Sequence, residues 1–409
     1  MSEPAINRDR LVEWASKAIS IPSFTGSEEE MARFVEQTFE DLGLQVQWQQ
    51  VEEGRANVLG TLTGAGGGPA LMFNGHMDTS YSGREPWLVH VPGFQPEPFV
   101  RKGRLYGLGI SNMKGALACY VEAVRAIVDS GVRLRGDLLV AAVCGEIEKA
   151  QYGDAKGAEY RGYATGTRHL VMHGGLADMC VLGEPTEEKL VLGHFGSLWL
   201  RLSTQGNFIH TAFSEGKRDQ NSILRMREVL GAVLEWIPSW EDNPENSYGG
   251  AKAIVNVGAL QGGFGWRVSR TPHRTDLFLD VRVPPTKSMP VARREVLEMV
   301  RRLAERFPDY GVEGDVYVTA PGAEIAEDHP LVAAIDESHA QVFGSAAERD
   351  VTRWFSDASA LSRYGVPTVN YGTSSGLLDT EYGENLEIEG LVRMANVYTL
   401  VAQRVCGVA

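Results

Sequence analysis

The chain has 409 residues, 43% of them apolar and 22% charged, ordinary proportions for a globular protein. That length exceeds what one hydrophobic core usually serves, so two domains are expected. A formal net charge of −14 argues against the basic surface that nucleic acid or an anionic membrane needs, and no apolar run approaches the length of a bilayer span.

The segment MSEPAINRDRLVEWASKAIS is polar and amphipathic, with no apolar stretch of a secretion signal, and points to a cytoplasmic protein. From Arg8 to about Leu44 apolar residues recur at helical spacing, ending near Gly43. NVLGTL and PALMFNGH follow as short strand-like runs. ALACYVEAVRAIVDSG reads as a helix stopped by glycine, DLLVAAVCGE as a buried strand of parallel type, and MCVLGEP as another apolar run ending in a carboxylate. This alternation predicts a layered α/β domain.

After Glu184 the order becomes strand, helix, strand, strand, helix, strand, through LWLRLSTQG, NSILRMREVLGAVLEWI, AIVNVGALQGG, DLFLDVRVPP, VARREVLEMVRRLAERF and GDVYVTA. That βαββαβ order predicts a ferredoxin-like insertion. The α/β domain is expected over residues 1–189 and 319–409, and the insertion over residues 190–318. WEDNPENSYGG, inside the insertion, reads as a solvated loop. Cys119, Cys144, Cys180 and Cys406 lie far apart in apolar surroundings without CxxC spacing, which predicts buried free thiols.

Ligand sites in open α/β sheets collect at the carboxyl ends of the strands. The predicted ends here carry His76 and Asp78 in NGHMD, Asn112 in GISNMKG, Glu146 in CGEIEK and Glu184 in LGEPT. In the His-x-Asp pair, Asp78 is spaced to orient the imidazole and fix its tautomer. Any one of these residues alone is an ordinary strand end; the set makes a candidate site. His169 and His173 in HLVMH have the spacing of a helical metal pair, but the apolar residues between them read as a packed element.

Taken together, FNGHMDT, GLGISNMKGALA, CGEIEK, VLGEPTE, NFIHTAFSEGKRDQNSI and SDASALSRYGVPTVNYG resemble, in order, the motifs of the M20 family of metallopeptidases and deacylases. The likeness is to acetylornithine deacetylase and succinyl-diaminopimelate desuccinylase. It covers nearly the whole chain and implies a catalytic domain with an inserted lid that forms a homodimer. It further implies that His76 and Glu184 bind metal, that Glu146 is the general base, that Asp78 supports His76, and that His210 of the lid donates to the oxyanion. Arg267 and Arg270, in WRVSRTP, fall where the family's lid meets a substrate carboxylate.

Three departures stand out. The family's bridging aspartate corresponds to Asn112, its second glutamate to Ile147, and its late histidine to Thr380, with Glu384 holding the register. An amide offers one useful oxygen and no charge, and isoleucine offers nothing. The second metal position thus loses its three usual ligands, whereas the first keeps His76, Glu184 and the oxygen of Asn112. Glu148, Asp379 and Glu381 are possible stand-ins, and Thr380 becomes a candidate substrate contact.

The expectation is a hydrolase of a non-peptide C–N bond in a small N-acyl amino acid-like substrate. Glu146 activates water, with at most one zinc-type divalent ion or none. Two alternatives stay open: a metal-independent acid–base enzyme performing elimination, cyclisation or acyl transfer, and a silent relative that binds a small ligand.

Overall fold

The computed structural model describes residues 4–374 and 381–409. Two compact units result: Met1–Gly193, Glu324–Asp350 and Ser356–Ala409 form the first, and His194–Ala323 with Val351–Phe355 the second.

Among the described residues, the first unit is built on a nine-stranded sheet. At its centre, Leu138–Val143, Leu71–His76, Met179–Leu182 and Thr368–Asn370 lie side by side and parallel. Arg55–Leu62 and Gln45–Glu52 extend it antiparallel on one side. The two-residue side-chain alternation of a strand decides what each face meets. Phe73 stacks on Tyr120 of the helix Gly115–Ser130, their ring centroids 4.8 Å apart. A Cβ added at Gly75 would stand 2.8 Å from the end of Met113 and 2.9 Å from the end of Leu117, so the glycine lets these two side chains pack directly on the strand. Asn74 points the other way, donating to Thr167 of the helix Thr165–Met172. Helices therefore cover both faces, and the carboxyl ends of the central strands open onto one edge.

The helical spacing read from Arg8 to Leu44 resolves into two helices, Arg8–Ile19 and Glu29–Asp41. Pro22 disfavours a helical Ile21, and Gly26 takes a φ of +97°, so the chain turns between them. HLVMH lies on Thr165–Met172, with Leu170 and Val171 buried. All four cysteines are buried and free.

The second unit pairs Val255–Gly262, Arg274–Val283, Gly196–Gln205 and Glu313–Ala320 in that order, all antiparallel. Leu198, Leu200 and Leu202 alternate inward with Leu277, Leu279 and Val281, against Met226 and Val229 of Ser222–Glu241 and Val296 and Met299 of Met289–Arg306. This is the ferredoxin-like order. The stretch read as a solvated loop is partly structured, with a turn Pro244–Asn246 and a short hairpin. Asn246 is buried there and donates to the Trp240 carbonyl at 3.0 Å. Among the described residues, no helix is long and apolar enough to cross a membrane.

Candidate active site

Three of the central strands deliver their side chains to one place. His76 ends its strand, while Glu146 and Glu184 follow theirs by a few residues. One ligand atom from each lies within 4.8 Å of the others, and all three residues are buried. His76 Nε2 is 3.8 Å from a Glu146 oxygen and 3.9 Å from Glu184 Oε1. Asn112 completes the ring from the loop before Gly115–Ser130, its Oδ1 2.9 Å from the same Nε2.

The imidazole proton can be located from its partners. Nδ1 lies 2.8 Å from the backbone carbonyl of Asp78, which can only accept, so Nδ1 carries the hydrogen. In the neutral ring, Nε2 then presents a lone pair to three oxygens. Glu184 Oε1 is buried without a hydrogen-bond partner. Four electron-pair donors thus face one point. A proton on Nε2 would answer one of them; a divalent cation answers all four. Tetrahedral zinc with bonds near 2.1 Å places its ligands about 3.4 Å apart, and the three separations from His76 Nε2, 2.9–3.9 Å, bracket that figure. The residues present fit one ion.

Asp78 plays a part beyond its neighbour. Its carboxylate is 3.6 Å from Nδ1 but accepts from the backbone N–H of Glu146 at 3.1 Å and of Ile147 at 3.4 Å, and from the Thr25 hydroxyl at 2.9 Å. It therefore fixes where Glu146 begins. Glu384 supports the Asn112 loop by accepting from the Gly109 N–H at 2.7 Å. Lys114 anchors the loop from the other side, donating to the carbonyls of Ala18 and Ile21 at 2.8 and 2.7 Å.

Asp357 acts electrostatically on His76, Glu146 and Glu184, and no local sequence signal marks it. It is fully buried, accepts the Thr167 hydroxyl at 2.6 Å through Oδ2, and leaves Oδ1 without a partner. Thr167 in turn receives a hydrogen bond from Asn74, two residues before His76 on the same face. In SDASALSR, Asp357 precedes a short helix and reads as a helix-start residue; only the packing of Thr165–Met172 against Ala358–Arg363 brings it to the strands.

Buried together, these acids hold protons strongly. Burial, then the charges of Glu184, Asp357, Asp78 and Glu148, raise the Glu146 carboxyl well above its usual range. Burial pushes Glu184 up to about 7, against the pull of His76, and Asp357 up to about 6. Burial would depress His76, but Glu184, Asp78 and Asp357 outweigh it and raise its proton affinity. Three buried carboxyls raised in this way, around the His76 imidazole, make a setting built for a cation.

Glu148 is half-buried and outside the ligand group, and Glu381 is exposed. Asp379 and Thr380 lie outside the described residues. In the second unit, His210 and Arg270 face each other as a two-strand bridge. His210 Nδ1 accepts the Ala212 N–H at 3.2 Å, so a neutral ring carries its proton on Nε2. Arg270 lies against the Phe208 ring at 5.3 Å, whereas Arg267 is exposed on the turn after Phe264. His169 and His173 stack on each other at 3.8 Å, away from the cluster of His76, Glu146 and Glu184.

The profile of Peptidase family M20/M25/M40 matches residues 72–404. An N-formyl-4-amino-5-aminomethyl-2-methylpyrimidine deformylase of Bacillus subtilis is 25% identical over 87% of this chain and 84% of its own length. A succinyl-diaminopimelate desuccinylase of Alkalilimnicola ehrlichii is 25% identical over 97% of this chain and 99% of its own. A tripeptidase from Staphylococcus aureus superposes with a TM-score of 0.75 at 19% identity, covering 98% of this chain and 99% of that one.

Proposed function

The chain belongs to Peptidase family M20/M25/M40, and from that premise we propose that it hydrolyses the amide bond of a small N-acylated amine or amino acid. Glu146 is the base in this reading, with a single divalent ion held by His76, Glu184 and the amide oxygen of Asn112. Members of the family are amide-bond hydrolases that typically use divalent metals such as zinc. The observation that carries the proposal is the convergence of the His76 lone pair, Asn112 Oδ1, Glu146 and the unpartnered Glu184 Oε1 on one point.

Charge supports one ion over two. The resemblance implies carboxylates at positions 112 and 147 beside two dications; this chain has neither carboxylate. Removing two anionic charges together with one dication leaves the net charge of the cavity unchanged. A second dication would sit in a cavity two negative charges poorer.

When bound, the ion polarises the scissile carbonyl and acidifies water beside it. The chain's own residues do the rest. Burial and the neighbouring carboxylates make the Glu146 oxygens strong proton acceptors, suited to taking a proton from water and passing it to the departing nitrogen. Asp78 holds the backbone of Glu146 still. For His210 the reading rests on the resemblance and on its Nε2 hydrogen, a donor of the kind an oxyanion needs. A homodimer and a cytoplasmic location belong to the same proposal. The exposed Val257 and Leu260 on the edge strand Val255–Gly262 support the dimer.

A panel of N-formyl, N-acetyl and N-succinyl amines, assayed for release of free amine with added zinc, tests the proposal. Glu146→Gln should lower kcat by about 10²–10⁴-fold with the fold intact by circular dichroism. Full activity in that variant, or no turnover of any amide by the native protein, would end it.

A further inference from the structure

Glu146 stands at the neck of a loop. Gly166 and Thr165 donate backbone hydrogen bonds to Cys144 and Gly145 at 2.9 and 3.0 Å, and Tyr163 and Gly162 donate to Ile147 and Lys149 at 3.1 and 3.2 Å. These rungs zip the segment carrying Glu146 to residues 162–166 and leave residues 150–161 as a closed loop. On the opposite side the Asp78 carboxylate receives the Glu146 and Ile147 N–H groups and the Thr25 hydroxyl.

Arg55 joins the two sides. It is fully buried, and each nitrogen of its guanidinium is engaged. Nε and Nη2 donate to the two carboxylate oxygens of Glu28 at 2.8 and 2.6 Å. Nη1 donates to Glu52 at 2.8 Å and to the backbone carbonyls of Ala158 and Arg161 at 3.1 and 2.9 Å. Glu28 lies three residues beyond Thr25. A ring therefore closes around Glu146, running through Asp78, Thr25, Glu28, Arg55, the loop carbonyls and the rungs back to Ile147. It has little slack. A Cβ at Gly145 would come within 2.3 Å of Arg55 Nη2, and one at Gly162 within 1.7 Å of the Ile147 oxygen.

We propose that Arg55 is a positioning residue for Glu146, locking the base-bearing segment by gripping its loop and the Asp78 strap together. The inference rests on reading Glu146 as the base. A planar fork is required, because it bonds a carboxylate with two nitrogens while a third reaches two carbonyls; a lysine ammonium is a single point with three donors. Displacement of a catalytic group by a fraction of an ångström lowers turnover without changing how substrate binds.

The test uses the full-length, zinc-loaded protein and whichever N-acyl amine of the panel the native protein turns over. Arg55→Lys keeps the charge beside Glu28 and loses the reach to Ala158 and Arg161. Thr25→Val opens the ring at its far side by replacing a hydroxyl with a methyl. Each should lower kcat about tenfold or more, with KM changed less than about threefold, and raise amide hydrogen exchange within residues 145–163. Unchanged kcat in both variants overturns the proposal. So does a kcat loss that disappears when the assay is run well below the variant's unfolding temperature, since that marks a purely structural role. If Arg55→Lys does not fold, Thr25→Val decides by the same readouts. Glu146→Gln separates the two ideas: full activity there fells the role of Glu146 itself, whereas an inactive Glu146→Gln beside fully active ring variants fells only the role of Arg55.

Discussion

In its neutral form His76 meets Asn112 lone pair to lone pair: Nε2 and Oδ1 are 2.9 Å apart, and the ring proton is committed on the other side to the Asp78 carbonyl at 2.8 Å. Two acceptors at that distance repel unless a proton or a metal cation lies between them. This pair makes the most direct probe of the centre.

Asn112→Asp adds a full negative charge to the ring of donors. Zinc affinity should rise about tenfold or more, as a new charge–charge attraction at a few ångströms implies even at high effective dielectric. Stoichiometry should stay at one ion per chain, because Ile147 still supplies no ligand. Titration calorimetry reads both quantities, and a second equivalent of tight zinc in the native protein would contradict the single-ion reading.

Removal of metal should make stability fall as pH rises. Burial pushes Glu28, Glu184 and Glu384 up to about 7 in the folded chain, above the ordinary carboxylate range. The folded state therefore binds more protons than the unfolded state between about pH 4.5 and 7, and stability declines across that window. Calorimetry of chelator-treated protein should show the first unit melting about 5 °C or more lower at pH 8 than at pH 5, with zinc restoring it at pH 8.

The second unit should respond with the opposite sign. His194 is fully buried, its Nδ1 3.0 Å from the Phe195 carbonyl, and burial lowers it to about 4. Here the unfolded state binds the proton more tightly. Stability is complete above about pH 6.5 and is lost as pH falls towards 4, by roughly 3 kcal/mol. His194→Asn should flatten this acid limb in denaturant titrations of the second unit; an unchanged limb would show that other groups govern it.

Asp357→Asn keeps the Thr167 hydrogen bond and removes one charge from the cluster. Zinc binding should weaken about tenfold while the melting temperature of the zinc-free protein rises or holds, because a buried carboxylate repelled by its neighbours has been neutralised. Equal affinity in the variant would place Asp357 outside the centre's electrostatics.

By itself the sequence determined the element types, the ferredoxin-like order of the insertion, and the strand ends where His76, Asp78, Glu146 and Glu184 would lie. These follow from local periodicity and from motifs a few residues long. That Asn112, Ile147 and Thr380 offer no carboxylate or imidazole, where the resemblance implies Asp, Glu and His, was likewise legible, since a ligand's chemistry is written in its side chain. Tertiary structure alone decided the rest. Asp357 joins the cluster across 190 residues through Thr167. Asp78 turns its carboxylate from the imidazole towards the Glu146 backbone, and Arg55 reaches over a hundred residues to a loop. Hydrogen bonds between groups so far apart in the chain leave no periodic trace; they exist only once burial has removed water as the competing partner, and packing decides which partners remain.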